Sequence, residues 1–147
     1  MKSGYTARVA GCASLILGLC FAGSALAEST SSLLAQAYQE WSQGRLDKAQ
    51  QLYENAVKAD PNSLEGHMKL AGLLLSRNDF SASMKEYQRV IGLDSRNAKA
   101  WIGLGIAYLH SGDKSLARAV WEEALRLEPA RKEQLAPLIA QLDSQER

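Results

Sequence analysis

A 34-residue period constrains the fold of this chain more than any other feature of its sequence. In the stretch that begins at Trp101, residues spaced at i, i+3, i+4 and i+7 form one helical stripe, and a second stripe follows the break SGDKS. This stretch is therefore predicted to form a helical hairpin. The second stripe consists of Ala117, Trp121 and Ala124 and is followed by Pro129. The residues 34 positions earlier are Ser83, Tyr87, Val90 and Ser95. Those 34 positions earlier again are Ala49, Tyr53, Ala56 and Pro61, so the pattern repeats three times.

The repeated unit resembles that of the tetratricopeptide repeat (TPR) family. The third unit carries the Trp, Leu, Gly, Tyr, small, aromatic, Ala and Pro residues of that family at all eight offsets. The resemblance implies an all-α, right-handed α-solenoid of three helix-turn-helix hairpins over residues 30–63, 64–97 and 98–131. A C-terminal capping helix and tail follow over residues 132–147. Gly44, Asn78 and Gly112 stand where each first helix must end, and these residue types tolerate a left-handed backbone.

The same pattern predicts which side chains fill the interior. Large residues such as Trp101 and Trp121 are expected in the core, while small ones such as Gly105 let helices approach closely. Pro137 is expected in or near the first turn of a capping helix that begins near Glu133, with a modest kink as the alternative. The inner stripe of that helix is predicted to contain Leu135, Leu138, Ile139 and Leu142.

Residues 1–27 are predicted to be a signal peptide, so that a mature chain would begin at Glu28 in the periplasm. Lys2 and Arg8 precede an uncharged apolar run, and Ala25 and Ala27 have the small-residue spacing of a cleavage site. Two alternatives stay open. The first is a lipoprotein acylated at Cys20, in the sequence LGLC, although Leu19 stands where a small residue is expected. The second is an uncleaved membrane anchor.

Charge and cysteine content narrow the range of partners. Without Lys2 and Arg8 the chain has 15 basic residues against 16 acidic ones, so it offers no broad basic field to nucleic acid or to an anionic membrane surface. Cys12 and Cys20 are its only cysteines, and both precede the predicted cleavage site. The exported domain is therefore expected to fold without a disulfide, and contact with a membrane is expected only through the N-terminal segment.

In the TPR family, partners usually bind the concave surface formed by the first helices of the hairpins. The resemblance implies a groove of mainly apolar residues, which suits an amphipathic helix or a short apolar segment of a protein, and Gly72 is expected to leave room for an inserted side chain. Alternatively, residues 28–32 or a second copy of the chain could fill it. The expected lining is Leu34, Tyr38, Trp41, Ser42, Glu65, Met68, Gly72, Leu75, Ser76, Lys99, Ile102, Ile106, Leu109 and His110.

Relatives that hold a terminal carboxylate do so with several cationic and amide groups, which are not expected at the matching positions here. No pattern indicates an enzyme, a cofactor or a metal site. His67 and His110 are 43 residues apart, and Glu122 and Glu123 are adjacent, so they point in different directions on a helix. The sequence therefore predicts a periplasmic adaptor for a partner protein. The family resemblance implies assembly roles such as pilus, secretion or cytochrome biogenesis, and a self-associating scaffold is the alternative.

Overall fold

The structure, a computed structural model, describes the backbone of residues 16–145 and the side chains of residues 29–142. This part of the chain contains helices and no strands, which confirms the predicted all-α hairpin solenoid with a capping helix. The helices are α1 (Ile16–Ser42), α2 (Leu46–Ala59), α3 (Leu64–Ser76), α4 (Phe80–Leu93), α5 (Ala98–Ser111), α6 (Lys114–Leu127) and α7 (Lys132–Gln145), with a 3-10 turn at Pro129–Arg131 before α7. Each helix packs on the next, so the hairpins stack in chain order.

The hairpin turns follow the sequence prediction. Gly44, Asn78 and Gly112 have φ angles of 75°, 63° and 94°, which places all three in the left-handed region that ends a helix. Polar side chains cap the start of two helices. At the start of α3, the hydroxyl of Ser63 accepts a hydrogen bond from the amide of Gly66, at 3.1 Å. Asp79 caps α4 in the same way through the amide of Ala82.

Both helices of each hairpin contribute buried residues to the interior. In α2, α4 and α6, the three stripe residues that repeat every 34 positions are all buried, and Trp121 of α6 is fully enclosed. Its indole Nε1 donates to the carbonyl of Ile102 at 3.1 Å, so the ring is satisfied as well as packed. Trp101 differs from the expectation: it is only partly buried beside that cluster, because its indole reaches the carbonyl of Ser95 before α5.

The capping helix α7 confirms part of the predicted stripe. Leu135 and Leu142 are buried and Ile139 is partly buried, but Leu138 is 38% exposed, so its assignment to the inner stripe is wrong. The helix begins at Lys132, directly after the 3-10 turn, and Pro137 therefore lies inside it as its sixth residue. Proline has no N–H to donate one turn back, which leaves the main-chain carbonyl of Glu133 without a helical donor.

The predicted signal peptide lies mostly outside the described part of the chain. Residues 1–15, which include Cys12, are not described, and only the backbone is described for residues 16–28. Helix α1 runs continuously across the predicted cleavage position after Ala27. None of the described helices combines the length and apolar character needed to cross a membrane.

Candidate functional site

The first helices α1 and α3 enclose a surface cavity of about 420 Å³, here called the concave cavity. Its walls come from two predicted groove residues of α1, Leu34 and Tyr38, and from α3, with Glu65 and Lys69 at the polar side. Ser31 and Ala35 complete the lining. Successive side chains on a helix are separated by roughly 100°, so Tyr38 lies on a different face of α1 from Ala37, which is fully buried against α2 and α3.

Tyr38 is the most accessible aromatic side chain of this cavity. Its ring is 60% exposed, and the ammonium of Lys69 lies 5.6 Å from the ring centre. A cation over an exposed tyrosine contributes about 0.5–1 kcal/mol and restricts where both side chains point. Lys69 was not among the predicted groove residues, although it lies four residues after Glu65 and therefore on the same face of α3.

Trp41 lies in the groove but belongs to the folded interior. Its ring meets that of Tyr53 edge-on, with centroids 6.3 Å apart, and it packs against the first core cluster. The far edge of the same indole would be 3.8 Å from a Cβ at Gly72. Trp41 therefore borders the space beside Gly72, and the expectation that this space accepts a side chain of a partner stays a prediction.

Most of the aliphatic residues predicted to line the groove pack into the core. Leu34 and Ile102 are each only 8% exposed, although Leu34 still reaches the concave cavity. The remaining four are partly buried and cover core clusters: Met68 and Leu75 beside α4 and α5, and Ile106 and Leu109 beside the cluster that α7 completes. The exposed concave surface is consequently less apolar than its sequence indicates.

The two polar residues predicted for the third unit are both exposed, at opposite ends of α5. Lys99 lies in the first turn and contacts no carboxylate in the described part of the chain. His110 lies in the last turn, where its ring stacks on Phe80 of the preceding unit with centroids 5.2 Å apart and planes 11° apart. The stack joins the end of α5 to the start of α4.

His67 of α3 is buried. Its Nδ1 lies 2.6 Å from the carboxylate of Glu86 on α4, and its Nε2 lies 3.1 Å from the carbonyl of Pro61. Arg89 donates to the same carbonyl, at 3.0 Å. These contacts tie the turn before α3 to α4 and explain the residue structurally. Nowhere in residues 29–142 do three His, Cys, Asp or Glu side chains form a group that could hold a metal ion.

Titratable groups near the concave cavity respond to burial and to pairing. Burial raises the pKa of the Tyr53 phenol above its usual value, and the nearby Tyr38 and Glu65 add to the shift. The Tyr53 hydroxyl is enclosed without a hydrogen-bond partner. At the end of α1, the hydrogen bond from Arg45 lowers the pKa of the Glu40 carboxyl, an exposed pair that closes the first turn.

Known proteins resemble this chain through its repeats. Residues 34–96 and 98–131 both match the tetratricopeptide repeat family. The general transcriptional corepressor ssn6 of Schizosaccharomyces pombe is 31% identical over 106 residues, which cover 67% of this chain and 10% of that protein. The peptidyl-prolyl cis-trans isomerase FKBP4 of Bos taurus is 36% identical over 86 residues, 58% of this chain and 19% of that protein. The chain thus spans a fifth or less of these relatives.

Solved structures share the fold at low sequence identity. The first TPR domain of Spaghetti (RPAP3), bound to the HSP90 peptide SRMEEVD, superposes with a TM-score of 0.74 at 20% identity, over 80% of this chain and 92% of that one. The Yersinia enterocolitica type III secretion chaperone SycD, in complex with a peptide of the translocator YopD, gives 0.75 at 13% identity, over 82% and 96%. With the two family matches and the hairpin stack, these likenesses agree on one conclusion: the chain belongs to the tetratricopeptide repeat family.

Proposed function

We propose that this protein is an adaptor that binds a segment of a partner protein in its concave cavity. The observation that carries the proposal is Tyr38, an aromatic ring 60% exposed in a cavity between two first helices. Exposed tyrosines at the centre of a surface cavity are common anchors of protein interfaces, since the ring offers a large contact area and loses little conformational entropy. Solved relatives that hold peptides support the same use of the fold.

The chemistry of the cavity favours a short segment with one apolar side chain between polar ones. An apolar group can pack on the Tyr38 ring and on the accessible edge of Leu34. Lys69 and Glu65, at the polar side, offer a donor and an acceptor to the neighbouring residues of the segment. Because the lining of the cavity comes from α1 and the first half of α3, the bound segment would lie across these two helices, with Trp41 and Gly72 beyond its edge.

The cellular location proposed here is the bacterial periplasm, after export and cleavage behind Ala27. Support comes from the basic start, the apolar run and the spacing of Ala25 and Ala27. In that compartment the adaptor would serve assembly of an envelope machine, such as a pilus, a secretion system or a cytochrome. Intact-mass measurement of the exported protein tests the location: a chain that begins at Glu28 is expected, whereas an acylated N-terminal Cys20 would identify a lipoprotein and refute cleavage behind Ala27.

A crosslinking pull-down from envelope extracts tests the binding site. The wild-type chain is compared with Tyr38→Ala, and Leu116→Ala on α6 serves as the matched control because Leu116 is also an exposed apolar residue, at 46%. Partners captured by the wild type and by Leu116→Ala should be lost from Tyr38→Ala, since loss of an anchoring aromatic costs about 2 kcal/mol or more. Equal capture by all three chains would refute the concave cavity as the site.

A further inference from the structure

The last two helices form a second cavity, about 390 Å³, on the C-terminal end of the solenoid, here called the end groove. Its floor consists of apolar side chains from α6, from the turn that follows and from α7, and two opposite charges, Glu122 and Lys132, stand at its edge. The floor residues are Leu125, Pro129, Ala136, Ile139 and Ala140. None of them belongs to the concave cavity.

The end groove is an apolar surface at the end of the described stack of helices, a position at which repeat proteins usually have polar side chains. In the three complete units the first helix is covered by its own second helix, as α5 is by α6. In the described part of the chain no second helix covers α7, although Ile139 is only partly buried and Leu138 is 38% exposed. The exposed part of these side chains leaves apolar area in water, and its burial in an interface would be stabilising.

We propose that the end groove binds the end groove of a second copy of this chain, so that the protein pairs through α7. A two-fold interface places one patch against itself and therefore requires a patch that is complementary to itself. The end groove meets this requirement, because it has one carboxylate and one ammonium at its edge. Glu122 of one copy would face Lys132 of the second, and this pair would form twice across the axis.

The available contacts of the two charges agree with this pairing. Lys132 contacts no carboxylate among residues 29–142. Glu122 accepts a hydrogen bond from Arg118 at 2.9 Å, but the carboxylate is 55% exposed and has further lone pairs to offer. Ala136 and Ala140 lie one turn apart on α7 and have small side chains, so a second α7 can approach closely.

The chain's own first helix is a poor occupant of this surface. The hairpins stack in chain order, so α1 and α7 lie at opposite ends of the solenoid. Pairing through α7 would instead leave both concave cavities accessible. The paired adaptor would then hold two partner segments and gain affinity for a partner that carries two of them.

Sedimentation equilibrium of the full chain over a range of concentrations tests the pairing by charge exchange. Glu122→Lys and Lys132→Glu should each weaken dimerisation at least tenfold, because each puts like charges against each other twice. The double variant restores both pairs with the charges exchanged, so its dimer should regain a dissociation constant within about threefold of the wild type. Glu133→Lys, an equal charge reversal outside the end groove, serves as the control and should change little.

A second variant tests the apolar part of the same surface. Ala140 is exposed, so Ala140→Arg should fold with unchanged helix content by circular dichroism and yet be monomeric. A wild-type chain that stays monomeric at all concentrations would overturn the proposal. So would a dimer that tolerates Ala140→Arg, or a double charge variant that is weaker than both single ones, since a different surface would then hold the copies together.

Discussion

Gly105 of α5 lies directly beneath the indole ring of Trp121 on α6, so closely that a Cβ at Gly105 would overlap the ring. Trp121 is fully buried and its Nε1 is held by the carbonyl of Ile102, which leaves the indole no room to move aside. A side chain as small as a methyl group at residue 105 therefore has to displace a helix. The contact explains why the third repeat has a glycine at residue 105 opposite the tryptophan at residue 121.

Gly105→Ala should lower the free energy of unfolding by about 3 kcal/mol, because the added methyl group overpacks the contact with Trp121. Gly92→Ala is the matched control, since nothing lies within 4 Å of a Cβ at that position of α4. There the exchange should raise stability by about 0.5–1 kcal/mol through the helix propensity of alanine. Urea denaturation of both variants measures the difference, and equal stabilities would contradict the close packing of α5 on α6.

Removing the hydroxyl group of Tyr53 is expected to raise the free energy of unfolding. Its hydroxyl is enclosed without a hydrogen-bond partner, although its ring fills the first core cluster. Tyr53→Phe keeps the ring and removes the buried polar atom, so the variant should be more stable than the wild type by about 1 kcal/mol. Tyr108→Phe, which removes a hydroxyl that accepts a bond from Gln88, should not gain stability. Thermal melts that show Tyr53→Phe to be the less stable chain would reveal a bound partner for the hydroxyl.

Buried tyrosines also predict how stability changes at alkaline pH. Burial raises the pKa of Tyr53 and of Tyr87 above the ordinary value of a tyrosine, so the folded state keeps both phenolic protons to higher pH than the unfolded state. Their contribution to stability is fully present below about pH 10 and is lost as pH rises above it. Urea midpoints should therefore fall more steeply between pH 9 and 11, roughly, in the wild type than in a Tyr53→Phe, Tyr87→Phe double variant. Identical slopes would contradict the assigned burial.

Sequence periodicity was sufficient to predict the hairpins, because each unit meets the same neighbours at the same spacing. The left-handed residues Gly44, Asn78 and Gly112 and the buried stripes follow from this repetition. Exposure within the groove does not follow from it. Position in the repeat says which face of a helix a side chain occupies but not how far the next helix covers it, and Ile102 is covered by the cluster that α7 completes.

Exposure was also hard to predict in the first unit, because this unit departs from the repeat pattern. Glu40 stands where the family pattern expects tyrosine, and the neighbouring Trp41 appeared free to bind a partner. In the structure the indole packs edge-on against Tyr53 and lies beside Gly72 of the next unit. Lys69 was not predicted because the ring that it contacts, Tyr38, lies on a different helix, and the spacing of residues within one helix does not indicate that contact.

Tyr38 and Trp41 were both expected to line the groove, but replacing them should affect stability differently. Trp41→Ala should lower the free energy of unfolding by about 2 kcal/mol, since it removes a partly buried ring from Tyr53 and uncovers Gly72. Tyr38→Ala should change stability by less than about 0.5 kcal/mol, because that ring is mostly in solvent. Urea denaturation of the two single variants measures this directly. If Tyr38→Ala proved the more destabilised chain, Tyr38 would be a packing residue, and its loss from a pull-down could no longer be attributed to binding.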